Sequence, residues 1–210
     1  VSRRRALVLG GTGMLAGCVA GLLADGWHVV TPARRHREIR AEPETSTEPP
    51  RPGAAARAAL GLPGQVPMAP TASTGRRQDP ARARWVHADW AEPDALATAA
   101  GEALGGPADL LVASVPGSHR TAVLHAVAPL LAEGAPVVVV RGSDEPSTRE
   151  SVPRSHPTHH AVLGLGHGAG VSRWLTHAEI SDGVLAVVRR ALAGEPPDSH
   201  QIGEPGPWRR

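Results

Sequence analysis

The stretch Arg5-Ala-Leu-Val-Leu-Gly-Gly-Thr-Gly-Met-Leu-Ala-Gly17 decides how the rest of the chain is read. An apolar run from Ala6 to Leu9 ends in glycines and passes directly into an alanine- and leucine-rich segment. That order predicts a buried strand, a tight turn and a helix. Gly11-x-Gly13-x-x-Ala16 reads as a strand–turn–helix fingerprint, and Gly10-x-x-Gly13-x-x-Ala16 as its close variant. One glycine permits the sharp bend, and another lets backbone N–H groups approach a pyrophosphate. The small residue at position 16 lets the helix pack closely on the strand. The helix start offers unpaired N–H groups and the positive end of its dipole to a phosphate.

Outward from this segment, Ala16 to Ala24 is expected to be helical, with Asp25-Gly26 ending the helix. Trp27 to Val30 is a short β-rich run, the second strand of a βαβ unit. A site for NAD would place an acid on the ribose 2′-hydroxyl at the end of that strand. The residues there are Thr31-Pro-Ala-Arg34-Arg35, with no acid before Glu38. Two guanidiniums suit a 2′-phosphate, so the expected cofactor is NADP(H) rather than NAD. The plainer alternative is a solvated pair opening a basic loop.

The same segment also mimics an export signal, with Arg3-Arg4-Arg5 as a positive n-region and Ala6 to Met14 as an h-region. Leu15-Ala-Gly-Cys18 then looks like a lipoprotein cleavage box. Gly10, Gly11, Thr12 and Gly13 interrupt that h-region, and cleavage would remove the first strand of a consistent βαβ pattern. Cys18 is therefore expected to be a small core residue on the first helix.

The 210 residues fit one domain with a sizeable core. No apolar run is long enough to span a membrane. All 22 basic residues are arginine, and lysine, tyrosine and phenylalanine are absent. The arginines are spread along the chain and balanced to a net charge of +2, so no nucleic-acid partner is expected. A single cysteine excludes an intrachain disulfide framework and suits a reducing, cytoplasmic setting.

Residues 37–82 are rich in Pro, Ala, Arg and Thr and are expected to be a low-complexity insertion in a surface loop. Strands are expected at Arg84–Trp90, with Trp85 or Val86 inward, then at Asp109–Val115, Pro136–Val140 and Ala161–Leu165. Helices are expected from Glu92 to Leu104 and from His119 to Glu133, the latter broken near Pro129. Thr176-x-x-Glu179 reads as a capping box opening a last helix to about Ala193. Residues 194–210 form a Pro-rich tail expected to be unpacked, and Trp174 is expected to pack on the sheet. Alternating strands and helices imply an α/β fold, a doubly wound, Rossmann-like parallel sheet in a domain over residues 1–193. Its ligand crevice lies at the carboxyl ends of the strands.

With Gly10-Gly-Thr-Gly-Met-Leu-Ala16, Arg34-Arg35 and Asp89 in place, the sequence resembles an atypical branch of the short-chain dehydrogenase/reductase superfamily. Ser172 to Ser181 is similar to a segment of its small bacterial members. The resemblance implies a nucleotide held by Gly10, Gly11, Thr12, Gly13, Met14 and Leu15, and by Arg34 and Arg35. It also implies Asp89 and Trp90 near the adenine, and Ala113 and Ser114 near a ribose. Gly142-Ser143 stands where that superfamily has its catalytic serine. A small carbonyl- or imine-type substrate is implied, and the resemblance leaves the oligomeric state open.

The departure is equally plain. The superfamily's Tyr-x-x-x-Lys pair has no counterpart, since neither residue type occurs in the chain. The helix that carries it also has no counterpart in the Pro/His-rich stretch 144–160. Any reduction needs another proton donor. Ser143 could orient a carbonyl oxygen, and His119, His156, His159 and His160 are the imidazoles near the expected crevice. His156-x-x-His159-His160 lacks a carboxylate or cysteine at a convincing spacing, so no metal site is expected. The alternative to an oxidoreductase is a non-catalytic, NADP(H)-sensing regulator or partner-binding protein, which needs no donor.

Overall fold

A computed structural model describes residues 3–35, 39, 83–143, 155–168 and 171–205. The expected insertion at 37–82 lies outside the described residues apart from Ile39, which is buried in the core. The chain runs β1 (Arg5–Leu9), α1 (Ala16–Ala24), β2 (His28–Ala33) and β3 (Arg84–His87). It continues through α2 (Pro93–Leu104), β4 (Leu110–Ala113), α3 (Gly117–Val127), β5 (Val137–Gly142) and β6 (Thr158–Leu163). A hairpin, β7 (Leu165–Gly168) and β8 (Val171–Trp174), precedes α4 (His177–Leu192) and β9 (Ser199–Ile202).

Seven strands form one parallel sheet in the order β3-β2-β1-β4-β5-β6-β9. The chain builds outward from β1 in one direction and then, from β4, in the other. The strand order therefore reverses between β1 and β4, where an open α/β sheet has its ligand crevice.

Strand alternation divides the core in two. Ala6, Val8, Val138, Val140 and Ala161 face α1 and α4, packing with Val19, Leu22, Val184 and Val188. Leu7, Leu9, Leu111, Val137 and Val139 face α2 and α3, packing with Leu96, Ala100, Val123 and Leu124. A sheet covered on both faces explains why its central strands read as unbroken apolar runs. Each fully buried Leu or Val contributes roughly 1.5–3 kcal/mol relative to exposure.

Local chemistry sets the ends of these elements. Pro93 opens α2 with Asp94 in its first turn, and Gly105 closes it in the left-handed conformation. Pro129 turns the end of α3 into a 3-10 segment, Ala128–Leu130, as its missing N–H requires. The Thr176–Glu179 capping box is formed in both directions. Glu179 also takes a two-pronged contact from Arg173, at 2.7 and 2.8 Å, which ties β8 to α4. That guanidinium, together with the Thr176 donors, holds the Glu179 carboxyl down at about 2.

Three features differ from the expectation. Residues 199–202 do not stay unpacked: they form β9, with Ile202 buried under α4 and Gly183 leaving room for it. The second sheet, β7–β8, lies within a stretch with no clear alternation. Trp174 does not pack on the sheet but stands 76% exposed at the end of that hairpin.

β9 is attached partly through a histidine pair. His159 Nδ1 and His200 Nε2 lie 3.1 Å apart with nearly parallel rings, and His159 is fully buried. Burial first, and the His200 charge second, lower the His159 pKa; Glu195 and Asp198 oppose the shift. The folded state thus favours neutral imidazole, and below the ordinary value of 6.5 the unfolded chain binds more protons. The contribution of neutral His159 is complete above that value and is lost as pH falls toward the lowered one. Denaturant unfolding from pH 7.5 to 5.5 is expected to show falling stability, and His159→Asn a flatter slope with a lower value at pH 7.5. An unchanged slope would remove His159 from the pH response.

Candidate functional site

The glycine turn after β1 is built from three glycines with different reasons for lacking a side chain. Gly10 has φ +82°, and a Cβ there would lie 2.7 Å from the Ser114 carbonyl oxygen. It lets the ends of β1 and β4 close on each other. At Gly11 a Cβ would strike Thr31 and Val19 side chains at 2.8 and 2.9 Å, so this glycine serves core packing. Gly13 is different: a Cβ would meet only the Gly10 oxygen, at an ordinary 3.8 Å. Among the described residues nothing lies near enough to require glycine there, and Gly13 opens onto a cleft.

That cleft has a volume of about 840 Å³ and lies along the carboxyl ends of β1, β2, β4, β5 and β6. Gly10, Thr12, Gly13 and Met14 line its middle, at the start of α1, which has no side-chain N-cap. The loop is held from behind, since Ser181 of α4 donates its hydroxyl to the Met14 carbonyl at 2.8 Å. Gly17 and Gly21 bring α1 close to Ser181 and Leu185 of α4.

At the β2 side, Ala33, Arg34 and Arg35 line the cleft, both arginines being exposed. Trp90, half-buried after β3, closes that end. Asp89 is not part of the wall; its carboxylate accepts the Ala91 N–H at 3.1 Å and shapes the turn before α2. Ser114 lines the cleft beside Met14, with its hydroxyl 3.9 Å from the Met14 sulfur. Leu15 and Ala113 are wholly buried behind the wall, so they can offer a ligand backbone groups only.

At the β4–β5 side the wall is Val115, Pro116, Arg120, Val140, Arg141, Gly142 and, from β6, Leu163. Ser143 adjoins Gly142 and is half-buried, its N–H donating to the Leu163 carbonyl at 2.9 Å. His119 sits in the first turn of α3, off the wall and one residue before Arg120. The three histidines after β5 are not brought together. His156 reaches the Ala135 carbonyl, His159 pairs with His200, and His160 lies on the opposite face of β6. Among the described residues no cluster of three His, Cys, Asp or Glu could hold a metal ion. Cys18 is buried in α1, where burial pushes its thiol up to about 12.

Arg120 and Arg141 were not singled out from the sequence, yet both are buried and line the cleft. A signal existed for each. Arg120 precedes Val123, Leu124 and Val127 by three, four and seven residues, which puts it on the apolar face of α3. Arg141 directly continues the Val137–Val140 run.

No family model matches the sequence, and no curated protein matches it. Solved structures do match the fold. An NADH-dependent reductase, A1-R′, complexed with NAD aligns over 96% of this chain and 95% of its own, with 13% identity and a TM-score of 0.59. BdcA in complex with NADPH aligns over 95% and 93%, with 16% identity and a TM-score of 0.53. A short-chain dehydrogenase/reductase from Serratia marcescens aligns over 95% and 96%, with 15% identity and a TM-score of 0.55. The chain has the Rossmann-like fold of the short-chain reductases. Among its described residues, no helix is long and apolar enough to cross a membrane.

The contrast between the glycines gives a direct test by thermal or denaturant unfolding. Gly10→Ala is expected to lower stability by at least about 1 kcal/mol, because it combines a left-handed backbone with a clash. Gly13→Ala is expected to change it by less than about 0.5 kcal/mol. Equal losses would mean that both glycines serve folding alone.

Proposed function

We propose that the cleft binds NADP(H) and that the protein is an NADP(H)-dependent oxidoreductase for a small carbonyl- or imine-type substrate. The observation that carries this reading is Gly13. No described residue stands in the way of a side chain there, and it faces the same cleft as Arg34 and Arg35. Backbone N–H groups of the Gly10–Leu15 turn and the α1 dipole suit a diphosphate, and the two guanidiniums suit a 2′-phosphate beyond it. Trp90 would flank the adenine, with Asp89 shaping the turn that follows β3 and Gly11 behind the glycine turn. Ala113 and Ser114 would meet the ribose nearer the reacting end. The NADH-dependent reductase complexed with NAD and BdcA in complex with NADPH align with this fold, which supports a nicotinamide dinucleotide.

A bound nicotinamide supplies the hydride, and the protein's share is orientation, exclusion of water and a proton. Ser143, beside the cleft wall, would orient the substrate oxygen. His119, in the first turn of α3 and one residue before Arg120 of the wall, is the candidate donor. The buried, unbridged cysteine fits a cytoplasmic setting. One observation favours a second reading, a non-catalytic NADP(H) sensor: the chain has neither tyrosine nor lysine.

Calorimetric titration tests the cofactor assignment. Arg34→Ala combined with Arg35→Ala is expected to weaken NADPH by roughly 1.5–4 kcal/mol while barely changing NADH. Equal losses would remove the 2′-phosphate role. Oxidation of NADPH with a panel of small carbonyl compounds, with kcat lowered by Ser143→Ala, supports the enzyme. Tight binding without turnover supports the sensor.

A further inference from the structure

β9 is the end strand of the sheet, and among the described residues its one strand neighbour is β6. Ser199 and Gln201 are exposed, and Ile202 is the apolar side chain that β9 buries. Backbone pairing and the His159–His200 contact therefore do much of the holding. That contact joins two titratable rings, one of them fully buried. At 3.1 Å, one ring nitrogen must donate and the other accept. A pair carrying one extra proton still meets that need. A second proton puts an N–H on each side and two like charges in contact.

The surroundings set where that second proton arrives. Burial, and then the charge of His200 in β9, oppose a proton on His159. Glu195 and Asp198, in the connection from α4, favour one but do not prevail. β5 sets Val138 opposite His159. From the last turn of α4, Arg189 and Arg190 lie 3.9 Å from the carboxylates of Asp25 and Glu195. The change therefore falls below the ordinary histidine value of 6.5.

The far end of β9 is tied to the cleft. The Gly164 N–H donates to the Ile202 carbonyl at 2.9 Å, and Leu165 and Glu204 exchange two backbone bonds at 2.8 Å. The backbones are pressed so closely that a Cβ on Gly164 would strike the Glu204 carbonyl. One on Gly203, which has φ +74°, would strike the Leu165 carbonyl. Leu163, just before Gly164, lines the cleft and accepts the Ser143 N–H. Residues 202–204 thus brace the strip of chain that forms the β6 side of the cleft.

We propose that the His159–His200 contact is a proton-operated latch: a second proton on the pair frees β9, and the 163–165 segment that β9 braces loosens with it at the cleft wall. The latch is a property of the fold and holds whichever ligand the cleft takes.

Amide hydrogen exchange read by mass spectrometry tests it on the full chain without ligand at pH 7.5 and 5.5, corrected for the intrinsic pH dependence of exchange. Protection over 199–204 and 163–165 is expected to be ten-fold or more lower at pH 5.5, with β1 and β4 within two-fold. His200→Gln, at a half-buried position, gives His159 an amide that can donate or accept, so its two pH values should differ by less than two-fold. NMR titration of the histidine rings in the unaltered protein is an independent reading, and the step in exchange should follow the His159 titration.

Equal protection at both pH values overturns the latch. So does a loss shared by β1 and β4, which is global unfolding, or a step that persists in His200→Gln. A step that does not follow His159 assigns the effect to another group and overturns it too. A step confined to 199–204 overturns the link to the cleft wall.

Discussion

The ends of β1 and β4 meet over Gly10. A left-handed residue with no Cβ lets the chain leave β1 while the Ser114 carbonyl presses against it. Everything at the carboxyl edge follows from that contact. It aims the turn at the point where strand order reverses, and it seats α1 so that its uncapped start faces the cleft. The Ser181 hydroxyl then holds the turn from α4, so a helix far along the chain fixes the geometry of residues near its beginning. A preorganised turn of this kind meets a ligand with little further ordering, and unspent ordering entropy becomes affinity.

Much of this was legible in the sequence because the physics involved is local. The Ala6–Leu9 run, the glycine turn and the Asp25-Gly26 stop each carry their own signal, and each stands where expected. The capping box is another such case, since Thr176 and Glu179 lie within one helical turn and satisfy each other's backbone groups. Valine runs name buried parallel strands for the same reason: both faces must be apolar. Of the residues expected at the site, Gly10, Thr12, Gly13, Met14, Arg34, Arg35, Trp90 and Ser114 line one cleft.

What was not legible depends on distant partners. β9 has only one strongly apolar residue facing in, Ile202, and its strand character comes from pairing with β6 and from the His159–His200 contact. The β7–β8 hairpin is a product of tertiary placement after β6. Trp174 illustrates the limit of type-based reasoning, because a tryptophan can stand exposed at the open end of a hairpin as readily as on a sheet. Arg120 and Arg141 carry charge within otherwise apolar surroundings, so residue type alone does not mark them as buried. Their helix and strand periodicity pointed inward, and periodicity was the better guide. Together with Arg34 and Arg35 they line a cleft whose middle is formed by the glycine turn.

The most direct measurement is a crystal structure of the protein with NADP⁺. The expected density puts the diphosphate against the backbone at Gly13, the 2′-phosphate between Arg34 and Arg35, and the nicotinamide toward Gly142 and Ser143. A nucleotide bound elsewhere, or one whose 2′-phosphate points away from both guanidiniums, would contradict the central claim.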